Sequence, residues 1–250
     1  MNQQHDNLFA EPLGNISEFR FDQSVVDVFP DMLQRSIPGY QSIIAQSGLL
    51  AAKHAQSDTT LYDLGSSLGA TSIAMRNGLL QSSPTLSNVT IEGIDNSPAM
   101  LESCQKIVDS LDAGSIPIKL TLGDISDTPL SNASVIALNF TLQFIPPERR
   151  LAMMQKACDA LVPGGVMILS EKICFDDPRL EELQTHMYYN FKRLNGYSEL
   201  EISQKRTALE NVLIPDTITE HHQRMKQAGF STSTVWFQCF NFVSLIALKN

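Results

Sequence analysis

The chain has 250 residues, is 43% hydrophobic with a mean hydropathy of −0.06, and carries a formal charge of −9 with a pI near 5.0. That length and apolar content suffice for one substantial core and crowd two. The acidity argues against a broad nucleic-acid surface, because such affinity comes largely from Lys and Arg displacing counterions from phosphates. Four scattered cysteines, Cys104, Cys158, Cys174 and Cys239, show no CxxC pair and no zinc-ligand spacing with His. They predict free buried thiols in a reducing compartment and no metal. The polar start Met1–Asp6 and the lack of a run approaching ~20 apolar residues predict a cytoplasmic protein with no membrane partner.

Residues 1 to about 22 are polar, with Pro12 and Gly14, and read as an arm that orders only by docking. From Val25 to Leu50 the pattern is helical, broken at Pro30 and at Pro38-Gly39, which predicts two helices covering one side of a site. The chain then alternates. Thr60–Leu64 reads as a strand, Ala70–Leu80 as a helix and Val89–Ile94 as a strand. Ser97-Pro98-Ala99-Met100 opens a helix with a serine cap and proline at its first position. Ile116–Leu122 is a third strand ending at Gly123-Asp124, and Ser134–Asn139 a fourth. Pro146-Pro147-Glu148 starts a helix to Leu161, and Val162-Pro163-Gly164-Gly165 turns it into a fifth strand, Val166–Ser170. Residues 171–215 lose the rhythm and read as a charged, helical cap inserted over the site. Thr217–Gly229 is helical with a glycine stop, and Thr234–Phe240 and Val243–Leu248 form a hairpin. The fold class is therefore α/β: a doubly wound, mostly parallel, seven-stranded sheet closed by a C-terminal antiparallel hairpin, as in methyltransferase-like proteins rather than dehydrogenases. The expected organisation is a single domain, 1–250, with a helical cover at 1–58 and the cap at 171–215.

In such a sheet ligands sit at the carboxyl ends of the strands, where Asp63, Asp95, Asp124 and Asn139 fall. Tyr62-Asp63-Leu64-Gly65-Ser66-Ser67-Leu68-Gly69 has the strand–turn–helix form of a nucleoside site, with Gly65 and Gly69 letting the backbone approach a ligand. The glycine spacing is GxxxG rather than the GxGxxG that seats a pyrophosphate, so a dinucleotide is disfavoured. Asp95 can accept from both hydroxyls of a ribose, against the competing reading of an Asx turn that caps the next helix. Asp124 can accept from an adenine amino group while the Ile125 amide donates to a ring nitrogen; a solvated loop acid is the alternative. Asn139 ends a very apolar strand, so its amide needs partners, structural or ligand. Tyr40 stands where it can meet a ligand from the cover. Two basic pairs in the cap, Lys192-Arg193 and Lys205-Arg206, are ordinarily surface pairs, but a cap that must hold a carboxylate needs a planar bidentate donor, and arginine supplies it.

Several segments carry a resemblance to a known family. They are Val28-Phe29-Pro30-Asp31-Met32 through Ser36-Ile37-Pro38-Gly39-Tyr40, Ile94-Asp95-Asn96-Ser97-Pro98-Ala99-Met100 and Leu138-Asn139-Phe140-Thr141-Leu142-Gln143-Phe144. The stretch from Asn195-Gly196-Tyr197-Ser198 to Ser203-Gln204-Lys205-Arg206 and Trp236-Phe237-Gln238-Cys239-Phe240-Asn241-Phe242 add to them. Together they resemble the carboxy-S-adenosyl-L-methionine synthases, from about Phe9 to Lys249. The resemblance implies a class I methyltransferase fold that does not transfer methyl groups. It takes S-adenosyl-L-methionine as substrate, with no metal, and prephenate, and yields carboxy-S-adenosyl-L-methionine and phenylpyruvate. The product then serves a downstream tRNA carboxymethyltransferase that modifies the wobble uridine. It further implies a homodimer, Tyr40, Gly65, Ser66 and Ser67 on the methionine and turn side, Asp95 and Asn96 at the ribose, Asp124 and Ile125 at the adenine, Asn139 near the sulfonium, and Arg206 on the new carboxylate. Where the family commonly has Gly-Cys-Ser, this chain has Gly65-Ser66-Ser67, a near-isosteric change. The alternative is a small-molecule methyltransferase on the same fold, and a non-catalytic cofactor-binding scaffold is a further one.

Overall fold

The computed structural model describes residues 4–82, 86–112 and 116–250, so Met1–Gln3 of the polar start lie outside the described residues. Seven strands, β1 (Thr60–Leu64), β2 (Thr90–Asp95), β3 (Ile118–Leu122), β4 (Ala133–Asn139), β5 (Leu161–Lys172), β6 (Thr232–Cys239) and β7 (Phe242–Leu248), form one sheet in the order β3-β2-β1-β4-β5-β7-β6. The pairs from β3 to β5 are parallel, and β7 runs antiparallel to both of its neighbours. The expected sheet with its C-terminal hairpin is thus present, and the order of the strands reverses between β1 and β4. A crevice opens at such a reversal, because the connections on its two sides leave in opposite directions.

Helices cover both faces, which is why β4 is apolar at nearly every position rather than at alternate ones. On one face α3 (Tyr40–His54) and α4 (Ala70–Ser82) lay Ala51, Ala52, Met75 and Leu79 against Leu61, Val135 and Ile168. On the other, α6 (Pro147–Ala160) and α9 (Ile218–Gln227) place Met153, Met154 and Met225 on Ile136, Met167 and Leu245. The two helices of the first pair touch through their backbones. A Cβ on Gly48 would strike the Ala74 carbonyl and one on Gly78 the Gly48 carbonyl, so neither position tolerates a side chain.

Two boundaries differ from the sequence reading. Three helices, not two, precede β1: α1 (Gln23–Val26), α2 (Phe29–Ser36) and α3. Pro30 lies in the first turn of α2, where a missing N–H costs nothing, so it starts a helix rather than breaking one. Strand β5 is also longer than Val166–Ser170. It pairs Leu161 with Ala133, skips, and resumes with Val166 opposite Val135, so Val162–Gly165 is a bulge inside the strand, not a turn ahead of it. Its far end carries Glu171 and Lys172 past the last residue of β4. The helix α5 (Pro98–Asp109) begins as expected, with Ser97 Oγ accepting from Met100 N at 3.2 Å.

After β5 come α7 (Pro178–Leu194) and α8 (Glu199–Leu209). The N-terminal segment is sewn onto α8: Gln204 accepts from Leu13 N at 2.8 Å and donates to the carbonyls of Phe9 and Glu11, and Phe19 N donates to the Ala208 carbonyl at 3.0 Å. Beneath this, Arg150 of α6 is 1% exposed, bonds the carbonyls of Gln143, Ile145 and Ile214, and pairs with Asp216 at 2.6 Å, which Arg224 also contacts at 2.7 Å. Removing the shared acid leaves two guanidiniums facing each other out of water. Asp216→Asn is expected to cost about 3–5 kcal/mol in urea unfolding; a loss below about 1 kcal/mol would mean that water solvates the pair.

Candidate active site

The turn after β1 is hung from the end of β2. Gly65 N and Ser66 N both donate to the Ile94 carbonyl, at 2.8 and 3.0 Å. The bend requires a positive φ at Gly65 (79°) and at Ser67 (47°), and a Cβ at Gly65 would overlap the Thr141 side chain. Asp95 locks the turn: Oδ2 accepts from Ser67 N at 2.9 Å and Oδ1 from Ser97 N at 2.8 Å. The Asx-type bond to Ser97 is therefore present. Each oxygen still has a second lone pair, and the carboxylate lines the cavity described below, so a diol can share it. Burial raises the Asp95 pKa against the pull of these amides.

Asp63 has a different place. It is 2% exposed, does not line the cavity, and accepts from Ser72 N at 2.9 Å and Ser72 Oγ at 2.7 Å, tying β1 to the first turn of α4. The grouping of Asp63 with ligand-facing strand ends is corrected by this geometry: it sits one residue inside β1 and points at a helix start.

Tyr40, Gly65, Ser66, Ser67, Asp95, Asn96, Asp124, Ile125, Asn139 and Arg206 all line one cavity of about 660 Å³. That volume lies within the roughly 300–1,000 Å³ usual for small-molecule sites. Asn96 and Asp124 are exposed, Asp124 accepting from Ser126 N at 2.8 Å. The Ile125 amide makes no hydrogen bond among the described residues, while its carbonyl accepts from Lys156 Nζ at 2.8 Å. Asn139 is held by protein groups: Nδ2 donates to Thr71 Oγ1 at 3.0 Å and Oδ1 accepts from Ser170 Oγ at 2.6 Å. Ser66 packs beside Gly93, and its buried Oγ has no partner, the surroundings a thiol would accept without loss. Burial raises the Tyr40 hydroxyl well above its usual range.

The roof comes from the cover and the cap. Phe21, Phe29 and Tyr40 meet Tyr188, Lys192, Lys205 and Arg206 across the cavity, with Lys172 at the end of β5 below them. Arg206 is exposed at the wall, and its side chain makes no hydrogen bond or ion pair among the described residues. Its neighbour Lys205 takes the inward face of α8: it is 4% exposed and bonds Ser36 Oγ at 3.0 Å and Asp6 at 3.3 Å. Lys192 is equally buried, whereas Arg193 pairs with Glu199 in solvent. The surface reading of the two basic pairs thus fits the exposed Arg193 and Arg206 and fails for the buried Lys192 and Lys205. Lys172 and the inward role of Lys192 escaped the sequence reading. The available signal was Tyr188 and Lys192 at i,i+4 spacing on one face of α7.

A seven-stranded sheet in this order, with a small-molecule cavity at its reversal point, has the architecture of the S-adenosylmethionine-dependent methyltransferase class. The methyltransferase domain family matches residues 62–165. Human N-acetylserotonin methyltransferase, solved in complex with S-adenosylmethionine, superposes with a TM-score of 0.59 over 91% of this chain and 60% of that one at 15% identity, a likeness of fold alone. The carboxy-S-adenosyl-L-methionine synthase of Trichlorobacter lovleyi is 52% identical over 100% of both chains. That of Pseudomonas syringae pv. syringae is 51% identical over 99% of this chain and 100% of its own. The chain belongs to the carboxy-S-adenosyl-L-methionine synthase family.

Asp63 also gives the site a pH signature. Burial raises its carboxyl to about 6, with Asp95 adding to the rise and the Ser72 bonds opposing it. A carboxyl raised above its unfolded value of 3.8 contributes stability that is full below that value and lost as pH rises through about 6. Asp63→Asn keeps an acceptor for Ser72 and removes the titration. The stability of the variant relative to the parent should therefore climb between those two pH values, with a slope of at most about 1.4 kcal/mol for each step of one in pH. Urea unfolding across the range tests this, and a flat difference would mean that Asp63 ionises normally.

Proposed function

We propose that the protein converts S-adenosyl-L-methionine and prephenate into carboxy-S-adenosyl-L-methionine, phenylpyruvate and water. The supporting observation is a single cavity with an adenosyl floor at Gly65 and Asp95 and a roof carrying Lys172, Lys192 and Arg206. Methyl transfer needs only an aligned nucleophile at the sulfonium methyl; cations gathered beyond it suit the growth of an anion there.

In this reading Asp95 and Asn96 hold the ribose, Asp124 and the free Ile125 amide the adenine, and Tyr40 with Gly65, Ser66 and Ser67 the methionine portion. Asn139 stands beside the sulfonium, its amide fixed by Thr71 and Ser170. Prephenate aromatises with loss of carbon dioxide and its ring hydroxyl. The sulfonium methyl loses a proton, its carbon bonds the carbon dioxide, and the hydroxyl and proton leave as water. Arg206, with no side-chain partner of its own, closes on the carboxylate as it forms. A site shut off from bulk water is needed, since both the ylide and the carbon dioxide would otherwise be lost.

The wider assignments belong to the same proposal: a cytoplasmic homodimer, one unit with a cover at 1–58 and a cap at 171–215, whose product feeds a tRNA carboxymethyltransferase acting on the wobble uridine. Leu180, Leu183, Met187 and Leu194 form an exposed apolar stripe along α7, which favours self-association. Among the described residues no helix is long and apolar enough to cross a membrane. The charge of −9 disfavours direct tRNA binding.

Mass spectrometry after incubation with S-adenosylmethionine and prephenate should show the carboxylated sulfonium. Accumulation of S-adenosylhomocysteine instead would make the protein a methyltransferase. Arg206→Ala should lower carboxylated product by about 100-fold or more while S-adenosylmethionine affinity changes only a few-fold. Undiminished turnover would take Arg206 out of the chemistry.

A further inference from the structure

Two ammonium groups in the cavity, one buried and one half-buried, have no anionic partner among the described residues. Lys192, on α7, is 4% exposed, and its Nζ lies 4.7 Å from the centre of the Tyr188 ring. Lys172, half-buried at the end of β5, places its Nζ 5.3 Å from the centre of the same ring. Among the described residues neither Nζ makes a hydrogen bond or an ion pair. The acids that act on them electrostatically are committed elsewhere. Asp6, which acts on Lys192, is bonded to Lys205 and Tyr197. Glu181, which acts on Lys172, accepts from Phe175 N and Thr185 Oγ1.

An aromatic face attracts a partly desolvated ammonium only modestly, whereas removing the ion from water costs considerably more. Two like charges gathered on one ring add their mutual repulsion. Burial lowers both lysines from their ordinary range, and each of Lys172 and Lys205 lowers Lys192 further. Such an arrangement is costly for the empty protein and is offset only by a ligand that brings negative charge between the two. Position identifies that ligand. Ser170 of β5 pairs with Asn139 at the end of β4, so Lys172, two residues on, reaches past the sulfonium neighbourhood toward α7 and away from the adenosyl floor.

We propose that Lys172 and Lys192, gathered on the Tyr188 ring, form the receptor for the carboxylates of the second substrate and select a dicarboxylate that carries a six-membered ring. The assignment rests on the carboxylation reading above and deepens it. One ammonium meets each carboxylate, and the Tyr188 ring supports the carbocycle between them. A monocarboxylate leaves one buried cation unmatched and binds more weakly, so that phenylpyruvate, with a single carboxylate, dissociates after turnover. Lys192 and Lys172 are therefore specificity-determining residues, distinct from Arg206, which meets the carboxylate formed on sulfur.

The test compares the full-length protein with Lys172→Met, Lys192→Met and the Lys172→Arg and Lys192→Arg variants. Calorimetry measures S-adenosylmethionine and prephenate affinity separately, and mass spectrometry measures product. Each methionine variant should lose prephenate affinity by at least about tenfold, raise KM for prephenate more than it lowers kcat, and keep S-adenosylmethionine affinity within about threefold. Each arginine variant should recover part of the prephenate affinity, which a merely structural lysine would not require. Parental prephenate affinity in both methionine variants, with product still formed by the parent, overturns the receptor and leaves the carboxylation reading standing. If the parent forms no carboxylated product, that reading falls, and calorimetry alone decides the receptor: prephenate binding that both methionine variants lose supports it, and no binding to the parent overturns it. Loss of S-adenosylmethionine affinity in both variants would also overturn it, because the lysines would then serve the adenosyl side.

Discussion

The roof over the site depends on one buried carboxylate, that of Asp6. It accepts from Lys205 Nζ at 3.3 Å and from the Tyr197 hydroxyl, while the Asp6 carbonyl accepts from Arg35 Nη1 at 3.0 Å and its amide donates to Asp31 at 2.7 Å. Arg35 stacks at 4.0 Å on the Tyr197 ring. Without that acid Lys205 would lose its ion-pair partner, while Arg35 would keep Asp31 at 3.2 Å. Burial holds Lys205 down at about 8, with Asp6 pulling it back up. The docked N-terminal segment therefore supplies the charge that lets α2 and α8 approach. The position of Arg206, one residue from Lys205, follows from the same contact. A chain segment that looks dispensable by composition is thus a structural part of the cavity wall.

The floor is organised by a second acid in a different manner. Asp95 joins the Gly65 turn to the start of α5 through two backbone amides, so the group that would grip a ribose is immobilised before any ligand arrives. Preorganisation of this kind lowers the ordering cost of binding. Asp63 supports it from below by pinning α4 through Ser72. Three acids, Asp6, Asp63 and Asp95, thus fix the roof, the support and the floor. All three are nearly out of water, as acids are only when hydrogen-bonded or paired.

What could be read from the sequence follows the range of the forces involved. The strands' existence, the Ser97 cap and the Gly65 turn are local: period, capping and positive φ are written within a few residues, and the structure shows each of them, although β5 runs beyond Val166–Ser170 at both ends. Pro30 misled because one residue type both starts and stops helices, and only the position of the first turn distinguishes the two. The bulge at Val162–Gly165 misled because a glycine pair marks a turn or a strand irregularity equally well. The cations were misplaced for another reason. A lysine is normally solvated, so adjacent basic residues argue for a surface, and apart from the i,i+4 spacing of Tyr188 and Lys192 nothing local says that Lys192 and Lys205 face inward while Arg193 does not. That fact depends on Asp6 and on the Tyr188 ring, which are distant in sequence and adjacent only after folding.

Charge also explains why this fold would turn from methyl transfer to carboxylation without a new scaffold. S-adenosylmethionine brings a sulfonium cation into a cavity that already holds Lys172, Lys192, Lys205 and Arg206. Like charges repel the sulfonium, but weakly where solvent screens them, as at the exposed Arg206, and least at Lys205, which Asp6 already pairs. The sum works against binding of S-adenosylmethionine alone. In the proposed reaction a doubly negative co-substrate would reverse the sign, since each of its carboxylates would attract the sulfonium as well as the lysines. The same field stabilises loss of a proton from the methyl carbon, because the resulting carbanion is negative where the surroundings are positive. A neutral or cationic nucleophile gains nothing from this arrangement. In the proposed reaction the change of chemistry would be carried by the roof, while the floor supplies the Gly65 turn and the strand-end acid Asp95.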